Sequence, residues 1–139
     1  MIVVLDTNIV ASATYWRGKP AHGLEAWVLG KYDLAISHPI LTEYEEVITR
    51  LAARYPTKQP TDWLSAIKRA GHLYLPSPRP ASTADPDDEM FIECAAEAQA
   101  DYLVTGDKGH LLALKQVAGI SIVAVSDFLR LIGLPENPT

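Results

Sequence analysis

Short apolar runs alternate along the chain with longer segments of helical periodicity. The runs at Ile2–Leu5, 32–37, Tyr102–Thr105 and 120–125 are short, and most are rich in β-branched residues. Such runs are typical of strands buried on both faces of a parallel sheet. A further short strand is predicted at 73–75.

The intervening segments predict helices. The clearest helix follows the second strand, where one apolar stripe recurs at helical spacing: Ile40, Leu41, Tyr44, Val47, Ile48 and Leu51. Other helices are predicted at 9–14, 21–30, 61–70, 86–99, 111–117 and 126–131. This alternation predicts an α/β fold, a three-layer α/β/α sandwich with a mainly parallel central sheet. We expect one domain over residues 1–132 and a C-terminal tail at 133–139.

Composition narrows the class of protein. With 139 residues and 48% hydrophobic content, the chain can bury a single core. A net charge of −5 argues against a domain that binds nucleic acid through positive charge alone. An acidic site could still bind phosphate through metal ions. The lone Cys94 excludes an internal disulfide and fits the reducing cytoplasm, where we expect the protein to work. No apolar run suits a signal peptide or a membrane span, so no membrane partner is expected.

Four carboxylates are expected at one edge of the sheet, because parallel strands all end on the same side. Asp6 follows the first strand directly. Glu43 lies in the first turn of the next long helix, at the border of its apolar stripe. Asp88 continues the inward stripe of the helix at 86–99, and Asp107 comes just after the strand Tyr102–Thr105.

The same helical wheels predict which way the neighbouring acids point. Glu45 borders the other side of the apolar stripe and is the alternative to Glu43, whereas Glu46 should point to solvent. Asp87 and Glu89 diverge from the inward stripe of their helix by roughly 90–110°.

Taken singly, each of the four acids also has a structural explanation. Asp6, Asp88 and Asp107 could stabilise helix starts, and Glu43 could be an ordinary surface acid. Capping gives no reason, however, for Asp88 to lie on an inward stripe. Carboxylates about 5 Å apart repel by roughly 3 kcal/mol per pair at an effective dielectric constant near 20. A cluster of this kind therefore indicates a bound cation.

The expected cation is Mg²⁺ or Mn²⁺, with one or two ions per site. The predicted ligands are all oxygen atoms, and the sequence has no Cys/His set at metal-binding spacing. Phosphodiester hydrolysis is the chemistry that uses such a set of carboxylates. One ion activates and positions a water, and a second, ~3.5–4 Å away, stabilises the leaving oxygen.

The ordered motifs resemble those of the PIN-domain nucleases, and specifically the toxin components of bacterial toxin–antitoxin pairs. The matching segments, in chain order, are Leu5-Asp6-Thr7-Asn8, Ser37 with Leu41-Thr42-Glu43, Asp85-Pro86-Asp87-Asp88 with Cys94-Ala95, residues 100–107, His110-Leu111-Leu112 and Ser126-Asp127-Phe128-Leu129. Together they extend over nearly the whole chain.

The resemblance implies an endoribonuclease that depends on Mg²⁺ or Mn²⁺, forms a homodimer and is neutralised by an antitoxin protein that blocks the acidic site. It assigns catalysis and metal binding to one quartet: Asp6, Glu43, Asp88 and Asp107. It assigns supporting polar roles to Asn8 and Thr105. Some relatives carry a further acid shortly after the last aspartate, where this chain has Gly109 and His110, so a second ion has weaker support than the first.

Three bases are candidate contacts for RNA phosphates: Arg17, Lys19 and Lys108. A solvated surface role stays open for each of them. Trp16 could stack on a base, whereas Trp27 and Trp63 lie on apolar helix faces and are expected to pack.

Two rival functions stay open at this point. One is a PIN-like module without catalysis that binds RNA or a protein, and the other is a phosphotransfer domain with Asp6 as the nucleophile. The complete quartet argues against the first, because an inactive site has no need of mutually repelling acids. Asn8 argues against the second, because dehalogenase-type phosphatases place a second aspartate at that position.

Overall fold

The fold is described by a computed structural model of residues 1–78, 85–106, 110–117 and 119–134. A six-stranded sheet with the strand order β3-β2-β1-β4-β6-β5 forms its centre. The strands are β1 (Ile2–Leu5), β2 (Asp33–Ile36), β3 (His72–Leu73), β4 (Tyr102–Thr105), β5 (Gln116–Val117) and β6 (Ile120–Ala124). Neighbouring strands pair in parallel except for β5, which runs antiparallel to β6.

Helices cover the sheet on both faces. They are α1 (Thr7–Tyr15), α2 (Lys19–Val28), α3 (His38–Arg54), α4 (Trp63–Ala70), α5 (Glu89–Ala98), α6 (His110–Leu114) and α7 (Val125–Leu131). Helix α5 packs against β1, β2 and β4, whereas α7 packs against β4, β6 and α2. The predicted three-layer α/β/α sandwich with a mainly parallel sheet is confirmed. None of the helices in the described segments is both long and apolar enough to cross a bilayer.

The apolar runs form the core, as their composition predicts. Val3, Val4 and Leu5 of β1 are almost fully buried, and so are Leu103 and Val104 of the neighbouring strand β4. Burial on both faces is the expected state of central strands in a parallel sheet. The core therefore lies directly behind the residues that end these two strands.

Two predicted helices are shorter than periodicity suggested, one at its start and the other at its end. The helix predicted at 86–99 is interrupted, because Pro86–Asp88 is a 3₁₀ turn and α5 begins only at Glu89. The helix predicted at 111–117 ends at Leu114, because Lys115 adopts a positive φ of 60° and the chain returns as β5. Turns of this kind leave no trace in hydrophobic spacing.

The strand order determines which edge of the sheet can hold a site. From β1 the chain moves outward to β2 and β3, then returns to place β4 on the other side of β1. Ligands of open α/β sheets bind outside the carboxyl ends of the strands where the order reverses in this way. Asp6 and Thr105 lie at the carboxyl ends of the two strands concerned.

Candidate active site

A cleft of about 210 Å³ opens at this point of the sheet edge. We call it the acidic cleft. Its polar lining consists of Asp6, Thr7, Asn8, Glu43, Asp85, Asp87, Asp88 and Thr105. Val47, Phe91 and Leu111 supply apolar walls.

Asp6 is held by β4 through both its backbone and its side chain. Its N–H donates to the Val104 carbonyl at 2.8 Å, and its Oδ2 accepts from Thr105 Oγ1 at 2.7 Å. Asp6 occupies the N-cap position of α1, yet its side chain makes no capping hydrogen bond of the usual kind. The usual capping hydrogen bond therefore does not explain this carboxylate.

Burial raises the pKa of the Asp6 carboxyl above its ordinary value. Hydrogen bonds from Thr105 and from the Thr7 backbone act in the opposite direction and only partly offset this rise. Loss of hydration is the dominant cause, because a carboxylate withdrawn from water disfavours its charged form. A positive ligand would reverse that preference.

Glu43 enters the cleft from the first turns of α3. Its Oε2 accepts a hydrogen bond from Thr7 Oγ1 at 3.0 Å, so the residue after Asp6 also orients the second acid. Burial is the main cause that raises the pKa of Glu43, and the charges of Asp6, Asp87 and Glu46 add to it. The two acids thus already influence each other electrostatically.

The alternative acid on the same helix does not reach the cleft. Glu45 is exposed and forms an ion pair with Lys68, with 3.2 Å between its Oε2 and the Lys68 Nζ. Glu46 is exposed, as the helical wheel predicts.

Tyr44 connects α3 to the end of β1 from beneath the cleft. Its side chain is fully buried, and its hydroxyl donates to the Leu5 carbonyl at 2.6 Å. Burial raises the pKa of this hydroxyl well above its usual value, so it stays protonated and remains a donor. Sequence periodicity identifies Tyr44 as core but gives no sign of this bond.

A tight acidic turn forms the third side of the cleft. Asp85 Oδ1 accepts from the Asp87 N–H at 3.0 Å, and the Asp85 carbonyl accepts from the Asp88 N–H at 3.1 Å. A 3₁₀ turn advances by about 120° per residue rather than the 100° of an α-helix. Asp87 therefore diverges from Asp88 slightly more than an α-helical wheel predicts, and it is exposed whereas Asp88 is half-buried, although both line the cleft.

The structure brings most of the predicted site residues together. Asp6, Asn8, Glu43, Asp88 and Thr105 all line the acidic cleft. Asp107 and Lys108 lie outside the described residues. Arg17 and Lys19 line a neighbouring groove that Asn8 also borders.

Three polar lining residues were missed by the sequence reasoning: Thr7, Asp85 and Asp87. The Asp85-Pro86 pair does signal a helix start, but not a turn that keeps its own acids beside the cleft. Thr7 belongs to the motif Leu5-Asp6-Thr7-Asn8, but it was assigned no role from the sequence.

The donor atoms of the cleft fit a hard divalent cation, because the acids, amide and hydroxyls among its described lining residues offer oxygen ligands without a thiol or an imidazole. Within the described segments, no three His, Cys, Asp or Glu side chains are placed closely enough to hold one ion together. The fit therefore rests on the type of donor and on the burial of Asp6.

A family model for the PIN domain matches residues 2–109. The chain belongs to the PIN-domain family. The matched range contains β1, α3 and β4, and hence the acids of the cleft. PIN domains are generally nucleases that use divalent metal ions. Searches of curated proteins and of solved structures gave no match.

Proposed function

We propose that this PIN domain is an endoribonuclease that hydrolyses RNA phosphodiester bonds with Mg²⁺ or Mn²⁺. The observation that carries the proposal is the partial burial of Asp6 at the point where the strand order reverses, in the same cleft as Glu43 and without the usual side-chain capping hydrogen bond. An acid that is costly to ionise and has acidic neighbours is well explained by a bound cation.

Asp6, Glu43, Asp88 and Asp107 are the proposed ligands. When bound, the ion would lower the pKa of a water and offset the negative charge of the scissile phosphate. Thr105 and Thr7 orient the Asp6 and Glu43 carboxylates through the hydrogen bonds described above. Orientation of this kind by outer partners commonly tunes both metal affinity and activity.

The remaining groups of the cleft can position the RNA or exclude water. Asn8 is exposed at the rim of the cleft, where its amide can contact a phosphate or a ribose hydroxyl. Phe91 and Leu111 are buried apolar walls that limit how much water surrounds the acids. A drier site strengthens every electrostatic interaction within it.

We further propose that the enzyme acts in the cytoplasm as the toxin of a toxin–antitoxin pair, as a homodimer neutralised by an antitoxin. The support for this role is the resemblance of the ordered motifs. For the homodimer, support also comes from apolar side chains exposed at the ends of two packed helices, α2 and α7: Val28, Leu29 and Leu131. Expression of the wild type should arrest growth, and expression of Asp6→Asn should not.

The proposal is tested by incubating a mixed RNA pool with the protein in Mg²⁺, in Mn²⁺ and in excess EDTA. Asp6→Asn is compared with Asp33→Asn, which changes an exposed acid at the opposite edge of the sheet. We expect cleavage by the wild type and Asp33→Asn in metal alone, and none by Asp6→Asn. Cleavage in EDTA, or equal cleavage by Asp6→Asn, would contradict the proposal. Binding of RNA without cleavage in any condition would favour a non-catalytic module.

A further inference from the structure

Two further grooves follow the acidic cleft along α1. Asn8 lines both the cleft and a groove of about 310 Å³ that includes Arg17, Gly18 and Lys19. Arg17 and Gly18 also line a third groove, of about 400 Å³, where Trp16 forms part of the wall. Adjacent grooves share lining residues, so the three lie side by side along α1, and we call them together the α1 track.

Trp16 lies at the far end of the α1 track with 40% of its surface exposed. Its ring packs edge to face with Tyr55, with 5.3 Å between centroids, and Lys58 Nζ lies 5.1 Å from its centroid. The Arg54 guanidinium lies 5.6 Å from the centroid of Tyr55. Two adjoining aromatic rings thus each carry a cation at this end of the track, Lys58 over Trp16 and Arg54 over Tyr55.

The backbone around Trp16 is anchored on both sides. The Trp16 N–H donates to the Ser12 carbonyl at 2.8 Å, which closes the end of α1. The Thr61 N–H donates to the Thr14 carbonyl at 2.8 Å and ties the segment after α3 to the same helix. A ring whose main chain is already ordered loses little conformational freedom when a ligand binds to it.

The charges of the track suit a polyanion even though the whole chain is acidic. Arg17 is exposed and forms no ion pair with any residue of the described segments, and Lys19 lies in the same groove. Glu25 lines the third groove as well and should weaken, without abolishing, the attraction of a phosphate. Cations along a groove with an exposed ring at one end are the features that bind single-stranded nucleic acid.

We propose that single-stranded RNA follows the α1 track from the acidic cleft, with phosphates beside Arg17 and Lys19 and one base stacked on Trp16. This inference rests on the proposed nuclease function, because it places the scissile phosphate in the cleft. The helix between Asn8 and Trp16 spans about 12 Å, or roughly three stacked nucleotides. A duplex keeps its bases inside the stack and offers none to Trp16.

The test is the affinity of labelled RNA measured by fluorescence anisotropy in EDTA, where cleavage is not expected. Trp16→Ala should weaken the binding of a short single strand roughly tenfold, and Trp16→Phe should restore most of it. Arg17→Gln should reduce the slope of log affinity against log salt by about one unit. Lys31→Gln, an exposed base at the opposite edge of the sheet, should change nothing. A duplex should bind without dependence on Trp16.

Equal single-strand affinities for the wild type and Trp16→Ala would overturn the inference and leave the third groove to a protein partner. Equal weakening by Trp16→Ala and Trp16→Phe would also overturn it, because it would reveal a structural role. Failure of the wild type to bind any single-stranded RNA would also overturn the inference. Binding in EDTA requires no catalysis, so binding through Trp16 without cleavage would refute the proposed activity alone. Metal-dependent cleavage with unchanged Trp16→Ala binding would refute the track alone.

Discussion

Thr105 Oγ1 donates a hydrogen bond of 2.7 Å to Asp6 Oδ2, across the boundary between β4 and β1. The two residues are 99 positions apart in sequence but end adjacent strands. This bond lowers the pKa of Asp6, while the larger effect of burial raises it. The Thr105 hydroxyl therefore favours the ionised form of Asp6, and the Thr7 backbone adds to this effect.

Replacing Thr105 with valine should shift the pH dependence of activity. Without the hydroxyl the pKa of Asp6 rises further, so the ionised form needed to hold a cation appears only at higher pH. The acid limb of the profile of kcat/KM against pH should move to higher pH. At pH values below the limb, activity should be several-fold lower than in the wild type. Thr14→Val, which removes a buried hydroxyl bonded to the Val10 carbonyl, is the matched control. An unshifted limb would show that Asp6 does not govern activity.

The substitution Asp6→Asn should stabilise the metal-free protein at neutral pH. A carboxyl with a raised folded pKa carries no penalty below its unfolded pKa, near 3.8, and destabilises the fold as pH rises through the folded value. Asparagine removes the charge and can still accept from Thr105. Thermal melts in EDTA should show a gain of a few degrees at pH 7 that disappears near pH 4. A loss of stability at pH 7 would mean that the charged carboxylate supports the fold.

Tyr44→Phe and Tyr32→Phe form a matched pair. Both remove a buried hydroxyl that donates to a carbonyl, of Leu5 in one case and of Gly23 in the other. Each should cost about 1–2 kcal/mol of unfolding free energy. Only Tyr44→Phe should also weaken metal binding and lower kcat, by about tenfold, because its bond lies directly beneath Asp6. Equal activity of the two variants would limit Tyr44 to a structural role.

The roles of the two neighbouring acids of the acidic turn, Asp87 and Asp88, can be distinguished by substitution. Asp88 is half-buried and Asp87 is exposed, although both line the cleft. Asp88→Asn should abolish metal-dependent cleavage. Asp87→Asn should reduce it only several-fold, through the charge that Asp87 exerts on Glu43. Cleavage rates of the two variants are compared under saturating metal. A greater loss in Asp87→Asn than in Asp88→Asn would make Asp87 the ligand.

Hydrophobic spacing was sufficient to predict the layers of the fold, because each central strand is a short apolar run and α3 carries a regular stripe. The same reasoning placed Asp6 and Glu43 at one edge, since a parallel sheet leaves no other place for residues that follow its strands. It failed where the local geometry changes without a change in hydrophobicity. The 3₁₀ turn at Pro86–Asp88 and the left-handed Lys115 are the two examples.

The details of the site depend on contacts that sequence spacing does not contain. Thr7 meets Glu43 across 36 positions, and Tyr44 meets Leu5 across 39. Side chains of this kind appear in the sequence as ordinary polar or core residues. Their roles emerge only when the strand order brings separate elements to the same cleft.

The most direct test of the central claim is the chemistry of the RNA ends left by metal-dependent cleavage. Attack by a water held in the acidic cleft leaves a simple phosphate on one fragment and a hydroxyl on the other, and it requires no ribose 2′-hydroxyl. We therefore predict cleavage that persists when the 2′-hydroxyl at the cut site is replaced by hydrogen, and that is lost with Asp6→Asn or EDTA. Fragments ending in a 2′,3′-cyclic phosphate, formed equally well in EDTA, would contradict the account.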